Sequence, residues 1–362
     1  MRKTLPVRTW IELDKKALLA NFNFFASRAR GMEIMAVIKS NAYGHGLVTV
    51  ARCISGKSKK IWLGVDSITE ALALRREKIK NPILVLGYTL PNRMKEARQN
   101  NVSITISNFE SLKALETLKA KPAFHIKIET GMNRLGFKKA DWPKLISRLQ
   151  KSNLTPDGIY SHLAEATDRK YSKKQIECFR EAILSFKNSG IRPKFAHILK
   201  TEGILNFPSV GSMVRIGIGL YGYIPSRLKN LKPVMTWKTM VAEVKNVRQG
   251  ELIGYGLTEK FRRDSRVAVL PIGYWHGYDR GLSSIGEVLI HGQRVKVMGR
   301  VSMDMTVVDI TNIQNVKVGD EAVLLGRQGN DYISGDEIAD KIGTIVYEVI
   351  TRINPLIYKV VV

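Results

Sequence analysis

A lysine ends one of the apolar stretches of the sequence. Residues 34–38 read Ile-Met-Ala-Val-Ile, which is typical of a strand buried on both faces of a parallel sheet, and Lys39 follows directly. Three roles are open to such a lysine: a structural ammonium that pairs with a carboxylate or reaches water, a general base, and a nucleophile that forms a Schiff base. The last two need a neutral amine, which desolvation and neighbouring cations favour.

A glycine-rich segment offers a second kind of chemistry. Residues 215–222 (RIGIGLYG) contain backbone N–H groups at Gly217 and Gly219 that are not shielded by their own side chains. Turn geometry alone could account for a glycine pair. Together with the Thr201 hydroxyl and the Tyr43 phenol, however, the pair indicates a phosphate site. A phosphate site beside a Schiff-base lysine indicates pyridoxal phosphate.

Both kinds of chemistry need a scaffold that brings strand ends together. Helix start signals, such as Ser67 with Glu70, lie between eight short apolar stretches. The stretches are 33–39, 61–66, 82–88, 102–107, 124–129, 157–163, 195–199 and 213–219. Eight alternating units predict a (β/α)8 TIM-type barrel, whose loops after the strands share one face. That face would carry Lys39, Tyr43, Arg134, His162, Thr201 and Arg215.

The last third of the chain has a different character. After Pro225 and a basic linker, short β-rich stretches follow one another, and only 334–343 is predicted to be helical. We therefore predict a barrel over 1–228 and a second, mostly β domain over 229–362. We also expect residues 1–12 to pair with the second domain.

Composition narrows the functional class. The chain of 362 residues has 58 Lys plus Arg against 32 Asp plus Glu, a formal charge of +26, which raises the possibility of nucleic-acid binding. The basic residues are spread over nearly every predicted helix, and no nucleic-acid motif accompanies them, so a solvated basic surface is the preferred interpretation. We found no apolar stretch long enough to span a membrane, no secretory signal and no metal-ligand spacing, so we expect a cytoplasmic protein without a metal.

Six segments resemble, in order, motifs of the alanine racemases, which are barrel-fold pyridoxal-phosphate enzymes. They are AVIKSNAYGHG (36–46), IETGMNRLGF (128–137), SHLAEAT (161–167), VRIGIGLYG (214–222), IGYGLTE (253–259) and GRVSMDMTVVDI (299–310). The likeness covers nearly the whole chain. It implies interconversion of L-alanine and D-alanine, a supply of D-alanine for peptidoglycan, and a head-to-tail homodimer.

The resemblance assigns two bases. Lys39 would hold the cofactor and act on one face of the substrate α-carbon. Tyr255, from the second domain of another subunit, would act on the opposite face. A planar carbanion must lose a proton on one face and gain one on the other, so racemisation physically requires two such groups.

Two further residues would tune the cofactor. The resemblance places Arg215 at the pyridine nitrogen, and since a guanidinium only donates, that nitrogen should remain unprotonated. His162 would link Arg215 to Tyr255 by hydrogen bonds, and a nearby cation favours the phenolate form of the tyrosine. The alternative for His162 is a structural histidine.

The remaining implied roles concern the substrate and the phosphate. Arg134 would bind the substrate carboxylate or the cofactor's phenolate oxygen, although an interface salt bridge is an alternative. Met303 would donate its backbone N–H to the carboxylate, with Asp304 shaping the site. Lys127 matches a family lysine that is often carbamylated, which would orient Arg134. The phosphate would contact Tyr43, Thr201, Gly217 and Ile218.

Some positions depart from the family pattern. Lys200 and Glu202 flank Thr201 where an asparagine-serine-alanine run is usual, Trp275 and His276 replace an alanine and an aspartate, and Pro355 lies in a segment where many members carry a tyrosine. A racemase of broader amino-acid specificity is therefore an alternative.

Three more distant alternatives are less well supported. In a related decarboxylase, a carboxylate would keep the pyridine nitrogen protonated, so Arg215 argues against that branch. A non-enzymatic carrier of pyridoxal phosphate would resemble the barrel alone, which Tyr255 and the second domain disfavour. Nucleic-acid binding rests on net charge, and salt-dependent retention on DNA would test it.

Overall fold

The computed structural model describes residues 7–29, 31–207, 210–224 and 231–362. These residues form two compact units. The barrel unit comprises the described residues of Leu18–Ala42 and Leu47–Lys232, and the β unit comprises those up to Ala17 together with Tyr43–Gly46 and Pro233–Val362. The predicted domain boundary between residues 228 and 229 lies outside the described residues.

The barrel unit is built on eight parallel strands. With strands numbered along the chain, and β1 (Thr9–Leu13) in the β unit, they are β2 (Glu33–Val37), β3 (Trp62–Val65), β4 (Ile83–Tyr88), β5 (Ser103–Ile106), β6 (Phe124–Lys127), β7 (Gly158–Tyr160), β8 (Phe195–His197) and β9 (Met213–Ile216). Each lies within a predicted stretch, so the (β/α)8 prediction is confirmed. All residues of β5, β6, β7 and β9 are buried, including polar ones: Ser103, Thr105, His125, Lys127 and Arg215.

The sheet follows the order β8-β7-β6-β5-β4-β3-β2-β9. Its two end strands are also joined, because the backbone N–H of Ser212 donates to Ala196 O (2.8 Å) and that of Arg215 donates to Leu199 O (3.1 Å). The sheet therefore closes, and the strand ends that carry polar residues meet on one face.

Helices follow most of the strands. They are Lys15–Arg28, Leu47–Ser55, Ile68–Arg76, Met94–Gln99, Phe109–Thr117, Trp142–Lys151, Arg169–Asn188 and Thr201–Asn206. Ser67 Oγ accepts the Glu70 N–H (3.3 Å), as its capping motif predicts. The helix predicted from Lys173 begins at Arg169 instead, because Asp168 Oδ1 caps it by accepting the Tyr171 N–H. Within the described ranges, no helix is both long and apolar enough to cross a membrane.

The β unit is dominated by one large sheet. Its strands are β1, β10 (Met235–Met240), β11 (Glu243–Val247), β14 (Ser265–Leu270), β15 (Glu287–Ile290), β16 (Gln293–Met298), β17 (Thr306–Asp309), β18 (Glu321–Gln328), β19 (Asp331–Ile333) and β20 (Tyr358–Val361), while β12 (Leu252–Ile253) and β13 (Glu259–Lys260) form a separate pair. Strand β1 pairs antiparallel with β10 and parallel with β20. The unit has two helices, Gly335–Ile342 and Val346–Thr351. The second was not predicted, since its sequence is rich in β-branched residues.

Candidate active site

The turn after β2 has an unusual backbone. Ser40, Asn41, Ala42 and Tyr43 all have φ between 52° and 54°, in the left-handed region. This conformation costs about 1–2 kcal/mol for each residue other than glycine, so neighbouring contacts must offset it. The Asn41 N–H donates to Glu70 Oε1 (3.1 Å), and Asn41 Oδ1 accepts the Leu47 N–H (2.9 Å). These bonds fix the chain immediately after Lys39.

Lys39 lies just beyond the end of β2, with its amine near a carboxylate. Its Nζ is 3.3 Å from Asp66 Oδ1, and the two side chains are 38% and 55% exposed. Glu70 also binds this neighbour, because its Oε2 accepts the Asp66 N–H (2.8 Å). An ion pair this exposed contributes at most about 1 kcal/mol. The pair is the structural role predicted for Lys39, and it is weak enough to leave the two chemical roles open.

Arg215 is buried at the end of β9 and is held by at least five hydrogen bonds. Its Nη1 donates to His197 Nδ1 (2.6 Å) and His197 O (3.1 Å). Its Nη2 donates to Ser161 O (2.7 Å), Ile198 O (3.2 Å) and His162 Nδ1 (3.1 Å). The predicted link between Arg215 and His162 is therefore present in this structure, and the guanidinium has one well-determined orientation.

These contacts determine where the histidine protons lie. A guanidinium can only donate, so Nδ1 of His162 and Nδ1 of His197 both accept, and each ring carries its proton on Nε2. His197 Nε2 is 3.0 Å from His125 Nδ1, so it donates to that ring in turn. Burial, followed by the charge of Arg215, lowers the pKa of His125 to about 3 and those of His162 and His197 well below their usual value. All three rings are neutral at physiological pH.

Lys127 shares the interior with these groups. Its Nζ lies 5.4 Å from the centre of the Tyr160 ring, and Arg215 Cζ lies 5.5 Å from the same ring. Burial and then the charges of Arg134 and Arg215 lower the pKa of Lys127 to about 8. About one-tenth of this amine is therefore neutral at pH 7, far more than for a lysine in water.

Arg134 lies on the loop after β6 and is exposed. One carboxylate organises this loop, since Glu129 accepts the backbone N–H groups of Gly131 (2.5 Å), Met132 (2.6 Å) and Arg134 (3.1 Å). Burial would raise the pKa of Glu129, but these hydrogen bonds outweigh it and the pKa is lowered. Glu129 thus holds the backbone of Arg134 by accepting its N–H, and the charge of the exposed Arg134 side chain still lowers the pKa of the buried Lys127.

The predicted phosphate site is a tight loop. Thr201 Oγ1 accepts the N–H groups of Gly217 (3.0 Å) and Gly219 (3.4 Å). A Cβ on Gly219 would lie 2.5 Å from Thr201 Cγ2 and 2.6 Å from the Phe25 ring, so only glycine fits. Ile218 is buried between the two glycines. The hydroxyl and the glycine N–H groups therefore lie together at one strand end.

The other predicted site residues lie in the β unit. Tyr255 begins the short turn Tyr255–Leu257 and is 72% exposed, and Met303 is 54% exposed. Asp304 follows Met303, and its side chain is 47% exposed. Tyr43 is also in this unit, where its ring lies 6.1 Å from that of Tyr347. The side chains of Tyr255, Met303 and Asp304 are exposed, in contrast with the buried Arg215, whereas Tyr43 is half-buried.

Sequence reasoning missed several residues that organise the barrel site: Asp66, Glu70, His125, Tyr160 and His197. The histidines offered one signal, since each is a polar residue inside a short predicted strand. Tyr160 stacks on His197 with ring centres 4.8 Å apart and donates to Leu86 O (3.1 Å). Asp66 ends the stretch 61–66 much as Lys39 ends its own, and could have been found by the same argument.

Comparison with known proteins places this architecture in a family. Residues 13–225 match the alanine racemase N-terminal domain, and residues 234–361 match the alanine racemase C-terminal domain. The chain is 39% identical to the alanine racemase of Carboxydothermus hydrogenoformans over 96% of this chain and 99% of that protein. It is 37% identical to that of Leptospira interrogans serogroup Icterohaemorrhagiae serovar Lai over 98% and 96% of the two chains.

Solved structures give the same result. The crystal structure of alanine racemase from Bacillus anthracis with bound L-Ala-P has a TM-score of 0.93 and 34% identity, covering 99% of this chain and 96% of that one. Alanine racemase from Streptomyces lavendulae has a TM-score of 0.90 and 30% identity, covering 99% and 98%. With both domains matched in order, the chain is an enzyme that belongs to the alanine racemase family.

Proposed function

We propose that this protein interconverts L-alanine and D-alanine with pyridoxal phosphate by a two-base mechanism. The observation that carries the proposal is the set of groups at the strand ends of the barrel: the Lys39 amine, the Arg215–His162 pair, and the Thr201 hydroxyl with its glycine N–H groups. Each is a group that this chemistry requires, and each is anchored by a different strand or loop.

The residues present fit the cofactor. Thr201 Oγ1 accepts the Gly217 and Gly219 N–H groups, which leaves its own hydroxyl hydrogen to donate to a phosphate at this strand end. Arg215 offers only donors, which suits an unprotonated ring nitrogen. Lys39 supplies the amine that would hold the aldehyde. Tyr43, Thr201, Gly217 and Ile218 would hold the phosphate.

When bound, pyridoxal phosphate supplies an electron sink that acidifies the substrate α-carbon. Lys39 Nζ moves a proton on one face of that carbon, and the Tyr255 phenolic oxygen of a second copy moves one on the other. His162 accepts from Arg215 at Nδ1, so its Nε2–H is free to donate to that phenolic oxygen. Such a donor would stabilise the phenolate form and make Tyr255 a competent base.

The substrate carboxylate would be bound by Arg134 and by the backbone N–H of Met303, with Asp304 shaping the site. Lys127 would support Arg134 as a carbamate. Its lowered pKa supplies the neutral amine that reacts with carbon dioxide, and the cationic neighbours Arg134 and Arg215 would stabilise the resulting anion.

A head-to-tail homodimer would complete the site. Tyr255 is 72% exposed, with no buried environment within the β unit to hold it, as expected of a residue used by a second copy. In the cell, the enzyme would work in the cytoplasm and supply D-alanine for peptidoglycan.

Chiral analysis tests the proposal directly. Purified protein is incubated with pyridoxal phosphate and L-alanine, L-serine or L-lysine in separate tubes, and the enantiomers are quantified. We expect D-alanine to dominate. Rapid turnover of serine or lysine would indicate a broader racemase, and L-alanine that remains unchanged in the presence of bound cofactor would refute the proposal.

A further inference from the structure

Two loops of the β unit, 273–275 and 302–303, are joined by backbone hydrogen bonds. The N–H of Tyr274 donates to Ser302 O (3.0 Å), and the N–H of Trp275 donates to Met303 O (3.0 Å). The loops approach so closely that a Cβ on Gly273 would lie 2.1 Å from Ser302 O. The position of the Met303 peptide is therefore set by the turn Gly273–Trp275.

His276 closes that turn with its side chain. Its Nδ1 lies 3.2 Å from the Gly273 nitrogen and accepts that N–H, while its backbone carbonyl accepts the Asn354 N–H (3.1 Å). The residue is only 7% exposed. Because Nδ1 accepts, the ring is neutral and carries its proton on Nε2. The side chain thus acts as a buried cap for the turn.

The same ring faces the residue that follows Met303. Its Nδ1 is 3.9 Å from Asp304 Oδ1, beyond hydrogen-bond distance. Burial lowers the pKa of His276, Asp304 opposes that shift, and Arg8 reinforces it. The neutral ring therefore packs beside a carboxylate without sharing a proton with it.

We propose that His276 is a positioning residue for the substrate carboxylate. By accepting the Gly273 N–H, it fixes the turn whose own N–H groups hold the carbonyls of Ser302 and Met303. The Met303 peptide is then oriented for its N–H to bind the carboxylate. The inference rests on the proposed function, because the role of Met303 is part of it.

Two variants separate this role from simple packing. His276→Asn keeps an acceptor at the δ position of the side chain, whereas His276→Leu keeps apolar bulk and removes the acceptor. We expect the Leu variant to raise the KM for alanine about fivefold to tenfold, as loss of one hydrogen bond would, with kcat within about twofold. The Asn variant should restore the KM to within about twofold of the parent.

Hydrogen exchange provides a readout that does not depend on activity. The backbone amides of Tyr274 and Trp275 should exchange faster in the Leu variant than in the parent or the Asn variant, because their acceptors are less well held. His291, whose ring pairs with Asp320 (2.8 Å) elsewhere in the β unit, provides the matched control. His291→Leu should leave both the KM and these two amides unchanged.

The outcomes separate the two proposals. If the parent protein does not racemise alanine, the proposed function fails, and amide exchange still tests the loop contact. If it does racemise alanine and a folded Leu variant keeps the parent KM, or loses only kcat, the role of His276 is refuted. Should the Leu variant not fold, His276→Gln, whose oxygen lies one bond further out, takes its place and should raise the KM.

Discussion

The barrel unit and the β unit present their site residues in opposite ways. In the barrel, Arg215 is 3% exposed and is fixed by carbonyl groups and two histidines. In the β unit, Tyr255 is 72% exposed and Met303 is 54% exposed. The barrel thus preorganises groups that would tune a bound cofactor, whereas the β unit exposes groups that, in the proposed function, a second copy would use.

The strongest test of this contrast removes the barrel amine. Lys39→Ala should abolish racemisation and the covalent attachment of pyridoxal phosphate, since no other group at this strand end offers the predicted chemistry. Borohydride reduction followed by mass spectrometry of the peptide checks attachment, and chiral analysis checks turnover. Lys60→Ala, at an exposed position, should behave as the parent. Substantial racemisation by Lys39→Ala would contradict the assignment.

Removing the phenolic oxygen of the exposed Tyr255 should have the next largest effect. Tyr255→Phe should slow racemisation about 10²- to 10⁴-fold, the usual contribution of a general acid or base, and more in one direction of proton transfer than in the other. Stability should change by no more than about 0.5 kcal/mol because the side chain is exposed. Solvent-isotope incorporation from each enantiomer measures the asymmetry, and equal incorporation would count against two distinct bases. Tyr358→Phe is the control.

Mixed subunits sharpen the same comparison. Each variant alone should be nearly inactive, but a dimer of Lys39→Ala and Tyr255→Phe chains would contain one intact site if Tyr255 acts on a second copy. Activity should therefore return on mixing. Tagged chains purified as a verified mixed dimer provide the measurement, and an inactive mixed dimer would rule out a shared site.

A smaller effect is expected from adding a side chain at Gly219, in the loop predicted to bind phosphate. Gly219→Ala would place a methyl group against Thr201 and Phe25, which we expect to cost about 1–3 kcal/mol of unfolding free energy and to weaken cofactor binding about tenfold. Denaturant titration and fluorescence titration measure the two effects. Gly56→Ala meets only backbone oxygens at 3.4 and 3.5 Å and should change neither quantity appreciably. Unchanged affinity in Gly219→Ala would argue against a phosphate at this loop.

The smallest predicted effect is a change with pH in the free energy of unfolding, caused by the titration of Lys127. The folded protein releases its proton near pH 8, while the unfolded chain keeps it until about pH 10.5. The unfolded state therefore binds more protons between these values, so the free energy of unfolding should rise with pH there. The rise should be larger in the parent than in Lys127→Met, as measured by urea titration in buffer free of carbon dioxide, where the Lys127 amine is not carbamylated. Lys170→Met, at an exposed position, should follow the parent, and identical slopes in all three proteins would contradict the lowered pKa.

The barrel was predictable because its buried strands leave eight short stretches rich in apolar residues, with helix start signals between them. The exact ends of the strands were harder to predict from the sequence. The stretch 33–39 was predicted to continue to Lys39, but β2 ends at Val37. Residues 40–43, none of which is glycine, then form a left-handed turn that their local propensities disfavour. That turn depends on Glu70, which is distant in sequence and close in space.

The residues hydrogen-bonded around Arg215 were likewise only partly predicted from the sequence. Arg215 and His162 were identified through motifs, whereas His125 and His197 were overlooked because a histidine inside a strand does not reveal which way its ring points. In the β unit, the second helix Val346–Thr351 was missed because it is short and β-branched. Exposure was equally invisible: nothing in the segment 253–259 says that Tyr255 is open to solvent.

The left-handed turn after Lys39 has a consequence for the stage of folding at which the Lys39 amine reaches its final position. Its backbone has no local preference for this shape. One stabilising contact is local, between Asn41 and Leu47, and another comes from Glu70, a residue of the next βα unit. Closing that loop costs chain entropy before any contact repays it, so the turn should become ordered only once β3 and its helix have docked. We therefore expect the Lys39 amine to reach its final position only after this docking step, so that incomplete chains would not yet present it to a reactive aldehyde.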